Sequence, residues 1–311
     1  FIYYRYFQKF AVFILIANLF LLILIFTPLG FSHAGASRWI DIGGFTLQPA
    51  ELLKFSFLIY IAAWLSPKSR DGAFYETRQK SFAEGFLPFI LISGFIASLV
   101  FTQRSTSVIF IVLLAAIILY FVSGARLSYV AGIIIMGTLA FSVVIYYSPY
   151  RFSRVASFIE RYSNPVAINT QTTGYHLNQS LIAIGSGGLT GVGFGKSTTK
   201  YKYLPESIGD SIFAVLAEEL GFVGVISLLA FFAFFFLRGF MIARKSRDQF
   251  ARLTAIGFVS VMAIQAFVNI AAISGLLPLT GVPLPFISYG GTSLAVFLTM
   301  AGTIVNISRY T

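Results

Sequence analysis

Asp210 is the residue of this sequence whose type and position most directly suggest chemistry. It follows a long basic loop and opens a segment apolar enough to enter a bilayer. An ionisable side chain at a membrane boundary is costly to hold there, and it marks a functional site by default. Asp is also a favoured helix N-cap. Position alone therefore leaves two interpretations open, a helix cap and a functional acid.

Glu51 and Lys54 form a second group of interest, three residues apart in a predicted helix. This spacing puts both side chains on one helical face, close enough to pair. Pro49 fits the first position of that helix, and Gly43-Gly44 before it predict a tight turn. Such a pair either holds helices together or lines a polar cavity. Both residues are expected within two turns of the external end of the helix, and in the second interpretation the cavity opens outside, next to Asp210.

The segment 149–208, which precedes Asp210, is long and mostly basic. Long loops in compact proteins are usually functional, and positive charge suits an anionic substrate such as a lipid-linked diphosphate. The alternative is a solvated loop that touches anionic headgroups. Its charged residues are Arg151, Arg154, Arg161, Lys196, Lys200 and Lys202, against Glu160 and Glu206.

The glycine run at 185–195 is not a nucleotide-binding loop. A Walker A loop requires glycine five residues before its Gly-Lys, and Thr190 occupies that position. The glycines would instead let backbone N–H groups approach an anion closely. Residues 176–184 are predicted to form a short interfacial or re-entrant helix. We interpret His176 as a polar interfacial residue rather than a metal ligand, because no second histidine is near.

The composition places these residues in an integral membrane protein. Hydrophobic residues make up 57% of the 311 and charged residues only 11%, a balance typical of membrane proteins. The absence of cysteine excludes thiol catalysis, disulfides and cysteine-based metal sites. The net charge of +11 is assigned to loops that meet anionic membrane lipids, and nucleic acid is not an expected partner.

Hydropathy predicts an all-α, polytopic membrane helix bundle with eight spans, each near the roughly 20 residues that a bilayer requires. The basic residues of the short loops, such as 67–84 and 238–252, fall on one side. By the positive-inside rule both termini are then cytoplasmic, and 149–208 is a large extracytoplasmic loop. The predicted spans are 10–28, 49–66, 85–102, 106–123, 128–148, 211–237, 253–274 and 289–308.

The last external loop, 275–288, contains three prolines, which deprive its backbone of regular partners. At membrane depth such backbone is tolerated only where protein or a water-filled cavity satisfies it. We therefore expect this loop to line the same external cavity as Asp210. Ser288 and Thr292 are candidate hydroxyl contacts there, with helix capping as their alternative role.

Four motifs in order carry a resemblance to a known family. They are Arg38-Trp39 with Gln48-Pro49-Ala50-Glu51, then Gly174-Tyr-His-Leu-Asn-Gln-Ser180, the run 203–219 around Leu-Pro-Glu and Asp210, and the run 281–293. Together they resemble the SEDS family of FtsW, RodA and SpoVE, over the whole chain as a single transmembrane domain, 1–311. Members have ten helices, so the resemblance and the missing initial Met imply that the first two are absent. The run 174–180 favours an FtsW-like over a RodA-like member.

The resemblance implies a peptidoglycan polymerase that uses lipid II on the outer face of the bacterial cytoplasmic membrane, in cell division or elongation. A class B penicillin-binding protein, a transpeptidase, is its implied partner. Asp210 matches the catalytic residue, and Glu51 and Lys54 match a polar pair kept in the cavity. The run 103–107 lacks the acid that members usually carry there. Further candidate substrate-binding residues are Arg38, Gln179, Ser180, Lys196, Lys200, Lys202, Ser288 and Thr292.

The implied reaction is one inverting glycosyl transfer, in which a sugar 4-hydroxyl attacks an anomeric carbon and undecaprenyl diphosphate leaves. Asp210 is the predicted general base, a role typically worth a factor of about 10²–10⁴. Lysines, arginines or a divalent cation, Mg²⁺ or Mn²⁺, would neutralise the leaving diphosphate. No protein ligand set for a metal is predicted.

Two other functions stay open, a lipid II flippase and a non-catalytic scaffold of the division or elongation machinery. A flippase needs a continuous polar path to the cytoplasmic side, and the sequence shows none. Glu218 and Glu219 lie part-way down the helix that follows Asp210, but they point about 80° and 180° away from it, by helical periodicity. We expect them to brace neighbouring helices.

Overall fold

The computed structural model describes most of the chain. Several residues that the prediction used lie outside the described residues, namely the basic residues of 67–80 and Arg151, Arg154 and Arg161. The described ranges are 3–28, 30–33, 36–43, 45–66, 81–103, 105–148, 152–153, 155–156, 158–159 and 173–311. The chain divides into two compact units. The first comprises Phe1–Ile134, Phe236–Ile264 and Gly291–Thr311, and the second comprises Ile135–Phe235 and Gln265–Gly290.

A helix occupies each of the eight predicted spans. In chain order the helices are α1 (Arg5–Leu24), α2 (Pro49–Leu65), α3 (Leu87–Thr102, after a π-helical turn at Phe82–Phe86), α4 (Thr106–Val122), α5 (Leu127–Tyr146), α6 (Thr173–Ser186), α7 (Thr199–Lys202), α8 (Ile212–Lys245), α9 (Gln249–Ile273) and α10 (Gly291–Ser308). Within the described ranges, six segments are long and apolar enough to cross a membrane: α1, Phe82–Thr102, α5, α8, α9 and α10.

Three helices differ in extent from the prediction. α1 covers Arg5–Leu24 rather than 10–28, α8 continues to Lys245, and α9 begins at Gln249, so the predicted loop 238–252 shrinks to residues 246–248. In each case the prediction placed basic residues in loops. Lys and Arg are good helix formers, and their long aliphatic stems let a helix extend past the apolar zone while the charges reach water.

The loop 29–48 contains a small antiparallel sheet that the all-α prediction did not include. Its strands are β1 (Gly30–His33), β2 (Ala36–Ile42) and β3 (Phe45–Leu47), in the order β1-β2-β3. Gly43 lies between β2 and β3 with a φ of +62°, which confirms a turn at this glycine. These strands are short, so they left little periodicity for the sequence to show.

α2 is the central helix of the first unit. It packs against α1, α4 and α10 and is buried on every side, with Ala50, Leu53 and Phe57 among its inaccessible residues. A helix that is apolar all round belongs in an interior. It begins at Pro49, as predicted. The start of α10 is joined to the β3–α2 junction by two hydrogen bonds of Thr292. Its Oγ1 donates to the Thr46 carbonyl and accepts from the Gln48 main-chain N–H, both at 3.3 Å.

In the second unit, α8 is broken at Gly221, where φ is 65° and ψ is −167°. A break leaves backbone groups on both sides without their helical partners. The glycine run satisfies them by pairing its own backbone with α8. The bonds run from Val192 N–H to Glu218 O (3.0 Å), Gly193 N–H to Glu219 O (3.1 Å), Phe222 N–H to Gly188 O (2.9 Å) and Val223 N–H to Leu189 O (3.1 Å).

Glycine is required here because the two backbones nearly touch. A Cβ on Gly187 would lie 2.0 Å from the Ala217 carbonyl oxygen, and one on Gly191 would lie 2.1 Å from that of Glu219. Real Cβ contacts do not approach this closely. The glycine run is therefore a packing element that completes the broken helix by pairing backbone groups that would otherwise lack partners.

Gly191→Ala should strongly destabilise the protein, because the added Cβ overlaps backbone and φ is +79°. A left-handed non-glycine residue alone costs about 1–3 kcal/mol. We expect thermal unfolding in detergent, followed by intrinsic fluorescence, to begin about 5 °C lower or more. Gly185→Ala is the control, since no atom lies within 4 Å of its added Cβ. Equal melting of both variants would contradict the packing role.

Candidate active site

Asp210 lies in a turn at the start of α8, with its side chain half-buried. The helix begins at Ile212, so the N-cap position belongs to Ser211 and not to Asp210. A Cβ on Gly281 would be 3.5 Å from Asp210 Oδ2. The backbone of the last loop therefore forms one wall beside the carboxylate.

Three consecutive carbonyl groups of this turn are held by hydrogen bonds from α9 and the last loop. Each bond comes from a residue that is distant in sequence, so the turn is fixed by tertiary structure. The bonds are Tyr289 N–H to Ile208 O (2.9 Å), Ser288 Oγ to Gly209 O (2.6 Å) and Asn269 Nδ2 to Asp210 O (2.7 Å).

The other side of the turn is tied to α6. Ser211 Oγ donates to the Pro205 carbonyl at 2.9 Å, and it lies 2.6 Å from His176 Nε2. A carbonyl can only accept, so the single hydroxyl proton of Ser211 is used in the bond to Pro205. The contact with His176 is then a hydrogen bond in which Nε2 carries the proton and donates to Ser211 Oγ. His176 thus anchors the residue that follows Asp210. Ser180 Oγ donates to the His176 carbonyl at 2.9 Å, one turn along the same helix.

The proline-rich loop obtains its partners from α9. Gln265 Nε2 donates to the Pro283 carbonyl at 2.8 Å, and Asn269 Nδ2 donates to the Val282 carbonyl at 2.7 Å. The two amides are four residues apart, so they share one helical face. Side chains of the protein itself thus satisfy backbone that cannot form regular structure, one of the two ways that the sequence left open for this loop. That the loop lines an external cavity stays a prediction.

The two hydroxyls that were candidates for substrate contact both bind backbone. Ser288 Oγ accepts from Leu284 N–H at 2.7 Å in addition to its bond to Gly209. Thr292 Oγ1 joins β3 and α2 in the first unit, as described above. A direct substrate contact by either hydroxyl stays a prediction.

Two residues near Asp210 hold unusual backbone conformations. Within the described part of the chain, the non-glycine residues with positive φ are Glu206 (49°) and Phe286 (65°). Glu206 belongs to the turn of Asp210 and Phe286 to the last loop. Such conformations cost about 1–3 kcal/mol each, persist only when their surroundings impose them, and cluster at functional sites.

Glu218 and Glu219 hold the loop that precedes Asp210, so the expectation that they brace neighbouring helices is wrong. Their carboxylates accept from backbone N–H groups and hydroxyls of residues 195–199. The anion that this loop's N–H groups approach therefore belongs to the chain itself. The bonds to Glu219 come from the N–H groups of Gly195 (2.9 Å) and Ser197 (3.3 Å), and those to Glu218 come from Ser197 Oγ (2.6 Å), Thr198 N–H (3.2 Å) and Thr199 Oγ1.

The predicted diphosphate contacts Lys196 and Lys200 have different surroundings. Lys200 Nζ lies 2.6 Å from Glu219 Oε1, and this hydrogen bond raises the pKa of Lys200. Its charge is thus engaged within the fold. Lys196 is exposed. The Lys202 side chain lies outside the described residues, although its backbone ends α7.

Glu51 and Lys54 form the predicted ion pair in the first unit. Lys54 Nζ lies 2.6 and 2.7 Å from the two carboxylate oxygens of Glu51, and the side chains of Lys54 and Glu51 are 0% and 3% exposed. The ammonium group also lies 5.3 Å from the centre of the Phe297 ring, within range of a cation–π contact. That this pair borders the cavity of Asp210 stays a prediction.

The structure sorts the predicted site residues by unit. The first unit holds Arg38, half-buried on β2, with Glu51, Lys54 and Thr292, and the second unit holds Asp210, Gln179, Ser180, Lys196, Lys200, Lys202 and Ser288. Sequence reasoning missed Gln265 and Asn269. Their signal was two amides at i, i+4 in an apolar helix, a pattern typical of inward-facing polar groups.

Comparisons with known proteins agree with the four sequence motifs that resemble the SEDS family. A family model described as "Cell cycle protein", covering FtsW, RodA and SpoVE, matches residues 1–311. The chain belongs to this family. It is a multi-pass membrane protein, as its apolar helices indicate, and the SEDS resemblance is confirmed.

Two curated relatives illustrate the similarity. The Stage V sporulation protein E of Bacillus subtilis is 36% identical over 294 residues, which cover 94% of this chain and 76% of that protein. A protein of Geobacter sulfurreducens named "Probable peptidoglycan glycosyltransferase FtsW" is 38% identical over 309 residues, covering 98% of this chain and 79% of that protein.

Solved structures share the fold. A chain of a peptidoglycan synthase complex, described as coordinating polymerization and crosslinking, matches with a TM-score of 0.76 and 26% identity, over 100% of this chain and 84% of its own. The rod shape determining protein RodA of Thermus thermophilus matches with a TM-score of 0.65 and 26% identity, over 98% of this chain and 79% of its own.

Lys54→Met should destabilise the protein by about 3–5 kcal/mol, because it leaves the buried Glu51 carboxylate without its partner. The double variant Glu51→Gln/Lys54→Met buries no unpaired charge and should recover much of that loss. Thermal unfolding in detergent measures both. A double variant as unstable as the single one would show that the cost comes from packing rather than from charge.

Proposed function

We propose that this chain is a peptidoglycan glycosyltransferase that polymerises glycan strands from lipid II, with Asp210 as the general base. The observation that carries the proposal is the turn at 208–211. Its backbone is held by long-range hydrogen bonds, while the carboxylate of Asp210 stays half-buried beside Gly281. Relatives over nearly the whole chain are named as peptidoglycan glycosyltransferases.

The proposed step forms and breaks one bond each. The 4-hydroxyl oxygen of the acceptor sugar bonds to the anomeric carbon of the donor, and the bond from that carbon to the diphosphate oxygen breaks. The hydroxyl proton passes to Asp210 and then to water, and the electron pair leaves with the diphosphate. A base held in place before the substrate arrives needs no rearrangement during attack, which is how positioning lowers a barrier.

The leaving diphosphate requires positive charge. Of the two loop lysines whose side chains the structure describes, Lys196 is exposed and is our preferred contact, whereas Lys200 is paired with Glu219. Arg38, Lys202, Gln179 and Ser180 remain further candidates for binding. A divalent cation, Mg²⁺ or Mn²⁺, would neutralise the same charge when bound. Three His, Asp or Glu side chains do not gather in the described part of the chain, but Mg²⁺ held mainly by substrate phosphates requires only one or two carboxylates.

The basic ends of the helices support the orientation that we propose. Basic residues lie at the start of α1, the end of α8, the start of α9 and just after α10, and the positive-inside rule favours a cytoplasmic place for these ends. In this orientation both termini lie in the cytoplasm, and Asp210, before the other end of α8, faces the outer side of the bacterial cytoplasmic membrane. The basic residues are Arg5, Lys9, Arg244, Lys245, Arg252 and Arg309.

A class B penicillin-binding protein, a transpeptidase, is the proposed partner. Its support is the similar chain in a synthase complex described as coordinating polymerization and crosslinking. Lipid II and the surrounding membrane lipids are the other proposed partners, in wall synthesis for division or elongation.

Asp210→Asn should lower the rate of lipid II polymerisation by a factor of about 10² or more, because the amide cannot accept the hydroxyl proton. The assay uses the chain with its transpeptidase partner and follows glycan strands by gel. Thermal unfolding should be unchanged. Glu84→Gln, which alters an exposed acid in the Phe82–Phe86 turn, is the control.

The same assay separates the alternatives. Full polymerisation by a folded Asp210→Asn variant would overturn the assignment of the base. Lipid II translocation in liposomes that survives this change, without any polymer from the unaltered chain, would indicate a flippase. If the unaltered chain neither polymerises nor translocates lipid II, the result would indicate a scaffold.

Lys196→Met should raise the KM for lipid II several-fold without changing thermal unfolding, because it removes an exposed charge that binds diphosphate. Lys200→Met should instead lower the unfolding temperature, since it leaves Glu219 without its ammonium partner. Steady-state polymerisation kinetics and unfolding in detergent test both. An unchanged KM for Lys196→Met would exclude this lysine as the diphosphate contact.

A further inference from the structure

We propose that Asn269 is a positioning residue for Asp210, and that its amide fixes where the carboxylate stands relative to the last loop. The inference rests on the proposed function, since it assigns Asn269 a part in the step that Asp210 performs. It concerns a residue in the middle of an apolar helix, far in sequence from the motif around Asp210.

The amide of Asn269 binds two segments at once. Its side chain belongs to a residue only 1% exposed, and Nδ2 donates to the carbonyls of Asp210 and Val282, both at 2.7 Å. An Asn side chain has two N–H protons, and both are used here. Because both neighbouring atoms can only accept, the nitrogen must face them, and the amide orientation is unambiguous.

One of these segments is the turn that contains Asp210 itself, and the other is the last loop, whose backbone lies beside the Asp210 carboxylate. Val282 follows Gly281, on which an added Cβ would lie 3.5 Å from Asp210 Oδ2. One amide therefore links the main chain of the proposed base to the backbone that flanks its carboxylate. Ser288 and Tyr289 hold Gly209 and Ile208, the two residues before Asp210, whereas Asn269 holds the main chain of Asp210 itself.

The strained backbone on both sides gives independent support. Glu206 in the turn and Phe286 in the last loop have positive φ, and each conformation persists only where its surroundings impose it. Asn269 joins these two strained segments. Without it, the main chain of Asp210 loses its own hydrogen bond, while Ser288 and Tyr289 still hold the two residues before it.

The expected effect is on the rate of the chemical step rather than on binding. A displacement of about 1 Å in a catalytic group can cost a factor of about 10² in rate. Asn269→Leu removes both donors at similar volume, so we expect kcat to fall by a factor of about 10–100 while the KM for lipid II changes less than about threefold.

Gln265→Leu is the matched control. It lies one turn earlier on α9 and removes an amide that binds Pro283 of the same loop. We expect a similar loss of thermal stability for both variants but kcat within about threefold of the unaltered chain for Gln265→Leu. The assay uses the full chain with its transpeptidase partner and lipid II, with kcat expressed per folded molecule. Equal losses of kcat in the two variants would overturn the proposal.

Asn269→Asp provides a second test, because Asp matches Asn in shape. Burial beside two carbonyl oxygens favours the neutral carboxyl group, and its single O–H can donate to only one of the two carbonyls that Asn269 binds. We therefore expect a kcat between those of the unaltered chain and Asn269→Leu, with the KM for lipid II unchanged within about threefold. A kcat equal to that of the unaltered chain would show that the paired hydrogen bonds of residue 269 do not position Asp210.

The Asp210→Asn variant separates this inference from the proposed function. If Asp210→Asn polymerises lipid II normally, the proposed function fails. If Asp210→Asn is inactive while Asn269→Leu behaves like Gln265→Leu, only the positioning role fails.

Discussion

The structure depends on one constraint, that every backbone N–H and C=O at membrane depth must find a partner within the protein. Regular helices satisfy this locally, but the site is built from backbone that is not helical. The turn of Asp210, the proline-rich loop and the break at Gly221 all leave groups that a helix would have paired. Each is satisfied by another segment of the chain. This requirement makes the segments interdependent and fixes the site more firmly than packing alone would.

The same solution occurs twice in the second unit. Polar side chains on a long helix reach out and hold irregular backbone: the amides of Gln265 and Asn269 bind carbonyls, and the carboxylates of Glu218 and Glu219 bind N–H and hydroxyl groups. In each case the side chain and the irregular backbone supply each other with hydrogen-bond partners, as a low-dielectric interior demands. Of these contacts, the one from Asn269 reaches Asp210 itself, so the main chain of the proposed base is held before a substrate arrives, as positional catalysis requires.

Charge is distributed by the same logic. Lys54 is buried and paired with Glu51, and Lys200 is paired with Glu219, so both charges are engaged inside the fold. A buried ion pair is weak evidence for stability, because a well-packed apolar pair often does as well. A role in function for the Glu51–Lys54 pair of α2 stays a prediction. Lys196, in contrast, is exposed.

The sequence by itself determined the membrane class, the presence of a helix in each of the eight predicted spans, the start of α2 at Pro49 and the family, because hydropathy and motifs are local properties of the chain. Asp210 was also singled out from sequence. The partners that hold it came only from the tertiary structure: Asn269 is 59 residues away, and Ser288 is 79 residues from Gly209. The role of Glu218 and Glu219 was predicted wrongly for a related reason. Helical periodicity says where a side chain points, but not which loop folds back to meet it, and that is decided by which unpaired backbone groups must be satisfied.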